Sequence, residues 1–348
     1  MSIFESHIHH TAELAIDGLF LFDPETMDEP DEAYPKLTFK PSVESLNASL
    51  LSTVVVNLPE GSEWDWIHAV CRATLRLTYL RTSHHSLDSF PLANLTQLEW
   101  LETAPMSEIF KIFEDAPNLR DIIISVDGPA VPSSESRLTM KSIAKIEISS
   151  DEHLGEFLEH SEFPNLVNLS ICSADTWPGP AFHSFLSRSS CTLTVLEFNG
   201  CVISPEEIIT CLQHSACKTL ESLSLDGCFS EDVDVLLRYL TYQGPGPEHP
   251  PCNNPNLGSI ILFGIYSTDG LLAEMVASRS FTSLPAKSLS KPATRLAPVR
   301  LRKVCFTFED ELTQKEDHAK DWKQLREIEK MEQSELKIGW PVGTNLPE

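Results

Sequence analysis

Along the chain, apolar residues recur in the order Leu-x-x-Leu-x-Leu, with Ile, Val, Phe or Trp admitted at the apolar places. The pattern falls at Leu95/Leu98/Trp100, Leu119/Ile122/Ile124, Ile143/Ile146/Ile148 and Leu166/Leu169/Ile171. It returns at Leu193/Leu196/Phe198, Leu220/Leu223/Leu225, Leu257/Ile260/Leu262 and Leu301/Val304/Phe306. First positions are separated by 24, 24, 23, 27, 27, 37 and 44 residues. Within each unit the last two apolar places alternate with another residue, which is the period of a strand that buries one face. Between units lie amphipathic stretches at Met106 to Glu114, His153 to His160, Ala181 to Ser187, Glu206 to His214, Asp232 to Tyr242 and Asp269 to Ser278, and these predict helices. Ser204-Pro205-Glu206-Glu207 opens one of them with an N-cap hydroxyl, Pro at the first helical place and early acids. Pro117-Asn118, Pro164-Asn165 and Pro255-Asn256 stand just before strand cores, where Pro stops the preceding helix. Leu51 to Leu58 reads as a further strand, and a unit around Leu75/Leu77/Leu80 is expected with its register open.

Two units carry more. Leu193-x-x-Leu196-x-Phe198-x-x-Cys201 and Leu220-x-x-Leu223-x-Leu225-x-x-Cys228 place Cys three residues beyond the core pair. A small side chain there lets the chain turn out of the strand, and its weak S–H donor can reach a backbone carbonyl of the bend. Period, core pattern and Cys together are those of a leucine-rich repeat. The expected fold class is α/β, a leucine-rich-repeat solenoid with parallel strands on the concave face and helices on the convex face. Its array spans residues 41–308, with inserted loops near 244–255 and 282–298 that are rich in Pro, Gly, Ser and Ala. Residues 1–40 form an acidic segment expected to be poorly ordered, and 309–348 a charged C-terminal helix and tail. In that tail Trp322, Leu325, Ile328 and Met331 give an apolar stripe expected to pack on the last unit as a cap.

An array of this kind presents its strands as an extended surface suited to recognising proteins. The residues that alternate with the buried places point out of it: Gln97, Glu99, Asp121, Ile123, Lys145, Glu147, Asn168, Ser170, Val195, Glu197, Ser222, Ser224, Ser259 and Ile261. Asn199, Asp226 and Phe263 extend the same rows. The face is mixed and mildly acidic, so the expected target carries Lys or Arg.

Charge narrows the partners. The 348 residues hold 26 Lys+Arg against 51 Asp+Glu, a formal net charge of −25, and no stretch offers the basic face that nucleic acid or an anionic membrane requires. No apolar run approaches the roughly 18 residues that cross a bilayer, and Met1 to His10 lacks a basic and an apolar leader region. The chain is expected to be intracellular, cytoplasmic or nuclear. Its nine cysteines are an odd number and read as reduced thiols.

Catalytic signatures are missing from the sequence: Gly244-Pro245-Gly246-Pro247 is no phosphate loop, and neither Gly-x-Ser-x-Gly nor His-Glu-x-x-His occurs. Structural zinc wants four ligands in close pairs. Cys211, His214 and Cys217 come nearest but fall on a helix and its exit. His84-His85 reads as surface loop, and His7, His9 and His10 as a terminus able to bind metal loosely. Cys201 and Cys228 lack a cation or helix N-terminus that would lower their pKa, so they read as inert. No catalytic residue, cofactor or metal is therefore assigned.

The pieces Phe163-Pro164-Asn165-Leu166-Val167-Asn168-Leu169, Phe185 to Thr194, Glu231 to Thr241 and Leu271 to Arg279 resemble the repeat portion of F-box-like leucine-rich-repeat proteins common in mushroom-forming fungi. The resemblance covers Leu75 to Lys337. It implies a target-recognition subunit that docks on a Skp-type adaptor and a cullin for ubiquitylation. The chain departs from that pattern in residues 1 to 75, where no helical stretch opens with Leu-Pro-x-Glu; Leu58-Pro59-Glu60-Gly61 is the nearest string and lacks the Glu. A free-standing repeat scaffold and an enzyme with a loop-assembled site stand as the alternatives.

Overall fold

The structure is a computed structural model that describes residues 13–17, 50–58, 65–74, 76–128, 137–229, 231–243, 253–280, 299–308, 317–331 and 336–339. Among them the fold is α/β, with parallel strands and eight helices. All three core residues in all eight units of the sequence pattern are at most 2% exposed, so the pattern marks the core.

The chain divides into two units, Met1–Ile148 and Ser149–Glu348. The first holds strands β1 (Glu13–Asp17) and β2 (Thr53–Asn57), helix α1 (Asp65–Arg72), and strands β3 (Tyr79–Thr82) and β4 (Gln97–Pro105). Helix α2 (Met106–Asp115), strands β5 (Asp121–Asp127) and β6 (Leu138–Thr139), and β7 (Lys145–Ser149) at its boundary follow. Strand order is β1-β2-β3-β4-β5-β7, and the core residues pair in step: Leu14↔Val54, Val54↔Leu80, Leu80↔Leu98, Leu98↔Ile122. Because side chains alternate, this phase puts every apolar row on one face, and a slip of one residue would expose all of them.

The second unit repeats the scheme with α3 (Leu154–His160), β8 (Ser161–Glu162), β9 (Asn168–Cys172), α4 (Gly179–Ser189), β10 (Val195–Asn199), α5 (Pro205–Gln213) and β11 (Ser222–Asp226). It continues with α6 (Asp234–Leu240), β12 (Ser259–Ile265), α7 (Leu271–Ser280), β13 (Lys303–Phe308), α8 (Ala319–Met331) and β14 (Lys337–Gly339). From β9 to β14 one row runs Leu169, Leu196, Leu223, Ile260, Val304, Ile338 in register. Helix α5 opens with a full capping box: Glu207 N donates to Ser204 Oγ at 3.2 Å, and Ser204 N donates to Glu207 Oε2 at 2.9 Å.

Each central strand leaves through one bend. Ser173, Gly200 and Gly227 directly follow β9, β10 and β11, Gly264 holds the equivalent place within β12 at its bulge, and all four have φ between 55° and 66°. Ser173 N donates to Asn199 O and Gly200 N to Asp226 O, at 2.8 and 2.7 Å, so the bends form a hydrogen-bonded column. The next residue seals it. Cys201 Sγ donates to Ile171 O and Cys228 Sγ to Phe198 O, both at 3.2 Å, which is the carbonyl role expected of these thiols.

Several elements differ from the sequence reading. Within 1–40, Glu13–Asp17 forms β1, because Leu14 finds a place in the core row beside Val54. The early unit takes the register Leu77/Leu80/Thr82, with the third core place held by a threonine that is fully buried. The stripe of α8 ends at Ile328, and Met331 is 61% exposed. Beyond the expected array, Leu336 and Ile338 add β14. Most of the expected loops 244–255 and 282–298 lies outside the described residues. Their described bases are pinned by Arg279, fully buried, whose guanidinium donates to Leu240 O, Asn253 O and Asn254 O. Tyr242 N donates to Ser278 Oγ, and Val299 N to Pro255 O, so both sets of loop ends meet at this point.

Candidate functional site

Alternation along β4 to β12 sets the residues expected on the strand face opposite the core rows. Gln97, Lys145 and Asp226 are exposed. Glu99, Asp121, Ile123, Glu147, Asn168, Val195, Glu197, Asn199, Ser222, Ser259, Ile261 and Phe263 are half-buried. Ser170 and Ser224 share the face, but their side chains are too short to rise between their neighbours, and they are only 4% and 8% exposed.

In the first unit the face is internally paired along β3 to β5, while Lys145 and Glu147 on β7 have no ion pair among the described residues. Glu99 faces Arg81 across the register, with Arg81 Nε 3.5 Å from Glu99 Oε2, and Tyr79 Oη donates to Glu99 Oε1 at 2.9 Å. Burial raises the pKa of Tyr79, and the Glu99 carboxylate adds to the rise. Gln97 Nε2 donates to Asp121 Oδ2 at 3.0 Å. In the second unit the neutral groups pair in the same manner: Thr194 Oγ1 donates to Asn168 Oδ1, and Asn199 Nδ2 to Cys172 Sγ. The charged ones do not. Among the described residues Glu197 and Asp226 have no hydrogen bond or ion pair through their side chains, and the Ser224 hydroxyl that faces Glu197 in register bonds to nothing.

A second charged cluster closes the same unit. Asp269, His318 and Asp321 bring ligating atoms within 4.8 Å of one another, and no other three-residue set among the described residues does so. Cys211, His214 and Cys217 are thus not gathered as metal ligands. Asp321 is fully buried and caps α7, accepting from Gly270 N at 2.8 Å and Ala273 N at 2.7 Å. Asp269 caps α8 in return, accepting from Lys320 N at 2.9 Å and Asp321 N at 3.1 Å. His318 stacks on Phe308 at 3.5 Å and turns Nδ1 toward Asp321 Oδ2 at 3.4 Å. Two helix N-termini aimed at these carboxylates favour negative charge and oppose a cation. The cluster is therefore a reciprocal helix clasp.

The other candidates resolve as structure. His84 was expected at the surface but is 7% exposed: its ring packs edge-on against His68 at 4.7 Å, and Trp100 Nε1 donates to its carbonyl at 2.7 Å. Burial lowers its pKa, opposed by the Ser86 carbonyl, with His85 lowering it further. His214 Nδ1 accepts from Ala216 N at 3.2 Å, so Nε2 carries the proton in the neutral ring and donates to Ser187 Oγ at 3.0 Å. That direction is the reverse of a base activating a nucleophile. The eight described cysteines are free, and burial pushes Cys71 and Cys217 up to about 12 and Cys191 and Cys201 up to about 11, far from reactive thiolates. A groove of about 390 Å³ in the first unit lies between Leu87, Phe90, Leu92 and Ile112, with the Lys111–Asp88 ion pair at 2.6 Å beside it. His7, His9 and His10 lie outside the described residues.

Alternation in the sequence located the strand face. The clasp was not found from sequence because its two acids are far apart along the chain; the usable signal was the preference for Asp at helix starts. No helix among the described residues is long and apolar enough to cross a membrane. No protein-family model and no curated protein matches the chain.

Proposed function

We propose that this chain is a leucine-rich-repeat solenoid, strands concave and helices convex, that acts as a non-catalytic protein-recognition module. One observation carries this reading: a strand-turn-helix unit recurs with its core places in register and its exit bends at one offset. Such repetition leaves a continuous strand face with side chains that the core does not need. The closer role, target recognition for a Skp-type adaptor and cullin, rests on the resemblance of the repeat pieces to F-box-like proteins. Affinity capture from native extract, with bound proteins identified by mass spectrometry, tests it. Recovery of a Skp-type adaptor with a cullin is the expected result, and recovery of other proteins without them assigns a free-standing scaffold instead. Turnover that maps to a cluster of loop residues would replace both with an enzyme. The face fits a protein target rather than nucleic acid, given the net charge of −25.

A further inference from the structure

Glu197 sits on β10 between Leu196 and Phe198, both buried, so its side chain leaves on the strand face. Its register partners on either side are Ser170 and Ser224, two of the smallest side chains in that row. The carboxylate is thus flanked by low ground, half-buried, and without an ion pair among the described residues. A carboxylate with no internal partner can meet a cation from outside without breaking a pair within the fold. Asp226 lies one strand over and two residues along, roughly 8 Å away on ordinary sheet spacings. The Ser224 hydroxyl belongs to the register neighbour of Glu197, two residues from Asp226, in a residue 8% exposed, with no hydrogen bond of its own among the described residues.

We infer that Glu197, Asp226 and Ser224 form the recognition centre of the strand face and take a lysine or arginine side chain from an extended segment of a partner protein. This rests on the protein-recognition reading above and adds its location and chemistry. An ammonium carries three donors and a guanidinium five, and the centre offers two carboxylates and a hydroxyl as acceptors. The serines leave the depth that a long aliphatic stem needs to lie along the sheet. The centre also sets an orientation. On the neighbouring row Val195 pairs in register with Ser222, Ser222 with Ser259, Ser259 with Lys303, and Lys303 with Lys337. Lys303 and Lys337 are exposed, and neither forms an ion pair among the described residues. Three strand spacings separate β10 from β13, roughly 14 Å, which an extended chain covers in about four residues. The partner segment therefore carries a base and, about four residues away, an acid.

A displayed library of random dodecapeptides, selected on the full chain, tests this directly. The expected winners share Lys or Arg about four residues from Asp or Glu, and Glu197→Gln weakens them at least tenfold while Glu99→Gln leaves them within twofold. Winners that bind through other strand-face residues, losing affinity in Glu99→Gln or Lys145→Ala but not in Glu197→Gln, overturn the centre and keep the recognition face. Winners indifferent to every strand-face substitution, or no winners from a chain shown folded by circular dichroism, overturn both. Should Glu197→Gln disturb folding, Ser224→Val supplies the second probe: it removes the hydroxyl, narrows the floor, and is expected to cost binding without changing charge.

Discussion

Glu99 and Glu197 occupy the same place in their repeats, one in each unit, and the chain treats them differently. Glu99 is answered by Arg81 and Tyr79 from the adjacent strand, whereas Glu197 is flanked by serines and answered by none among the described residues. The second unit satisfies its charges elsewhere, at helix ends: Asp269 and Asp321 exchange caps, and Asp234 holds Thr268 N and Oγ1 at 2.7 and 2.6 Å. An ion pair on a sheet and an ion at a helix terminus are both ways to satisfy a partly buried charge. Only the second leaves the sheet open to a partner.

The strongest way to break this contrast is to remove the clasp. Asp321→Ala deletes a buried acceptor of two backbone N–H groups and is expected to cost about 3 kcal/mol, read as a lower urea midpoint. A loss below about 1 kcal/mol would mean that the helix ends are not where the second unit anchors its charge. Next comes the column of bends. Gly200→Ala forces a Cβ into a left-handed backbone at φ 61° and should cost about 1–2 kcal/mol in the same assay. Charge reversal sharpens the comparison itself. Glu99→Lys sets a second cation beside Arg81 and should lose about 1 kcal/mol, while Glu197→Lys should leave the midpoint unchanged within about 0.5 kcal/mol. Equal losses would show that Glu197 has a structural partner after all.

Acidity gives the smallest effect and touches both units. His84 in the first and His214 in the second have pKa values below the ordinary 6.5, in each case chiefly through burial. The folded chain thus holds them neutral while the unfolded chain takes up protons first. Their contribution is complete above pH 6.5 and is lost as pH falls below 6.5 toward their folded values. Urea midpoints at pH 7.5 and pH 5 measure the decline, and replacing both histidines with Gln should flatten it.

The fold was largely legible because its core is periodic. Leu, Ile and Val at fixed offsets announced eight strands, and the helices between them fell within a few residues of their predicted spans. Irregular places hid the rest. Thr82 fills a core place with a hydroxyl that accepts from His84 N at 3.1 Å, so its strand carried no third apolar letter. β1 has Leu14 inside an acidic stretch, and β14 is three residues long. The candidate centre was legible only as a list of outward positions. Which acids were free depended on Arg81, Tyr79 and the serines across the sheet, and those contacts belong to register, not to local sequence.

The column of left-handed bends has a bearing on how such a chain can change its length. Asn168, Val195 and Ser222 stand in register one behind another at intervals of 27 residues, and each strand exits at the same offset. Residues 195–221 therefore behave as an exchangeable cassette. Its excision presents Ser222 to Asn168 in the phase that Val195 had, so the column closes over the gap. Gene duplication or deletion in steps of one cassette preserves every row, and the largest departures from the repeat length, the intervals of 37 and 44 residues, fall where Arg279 ties the described loop ends together.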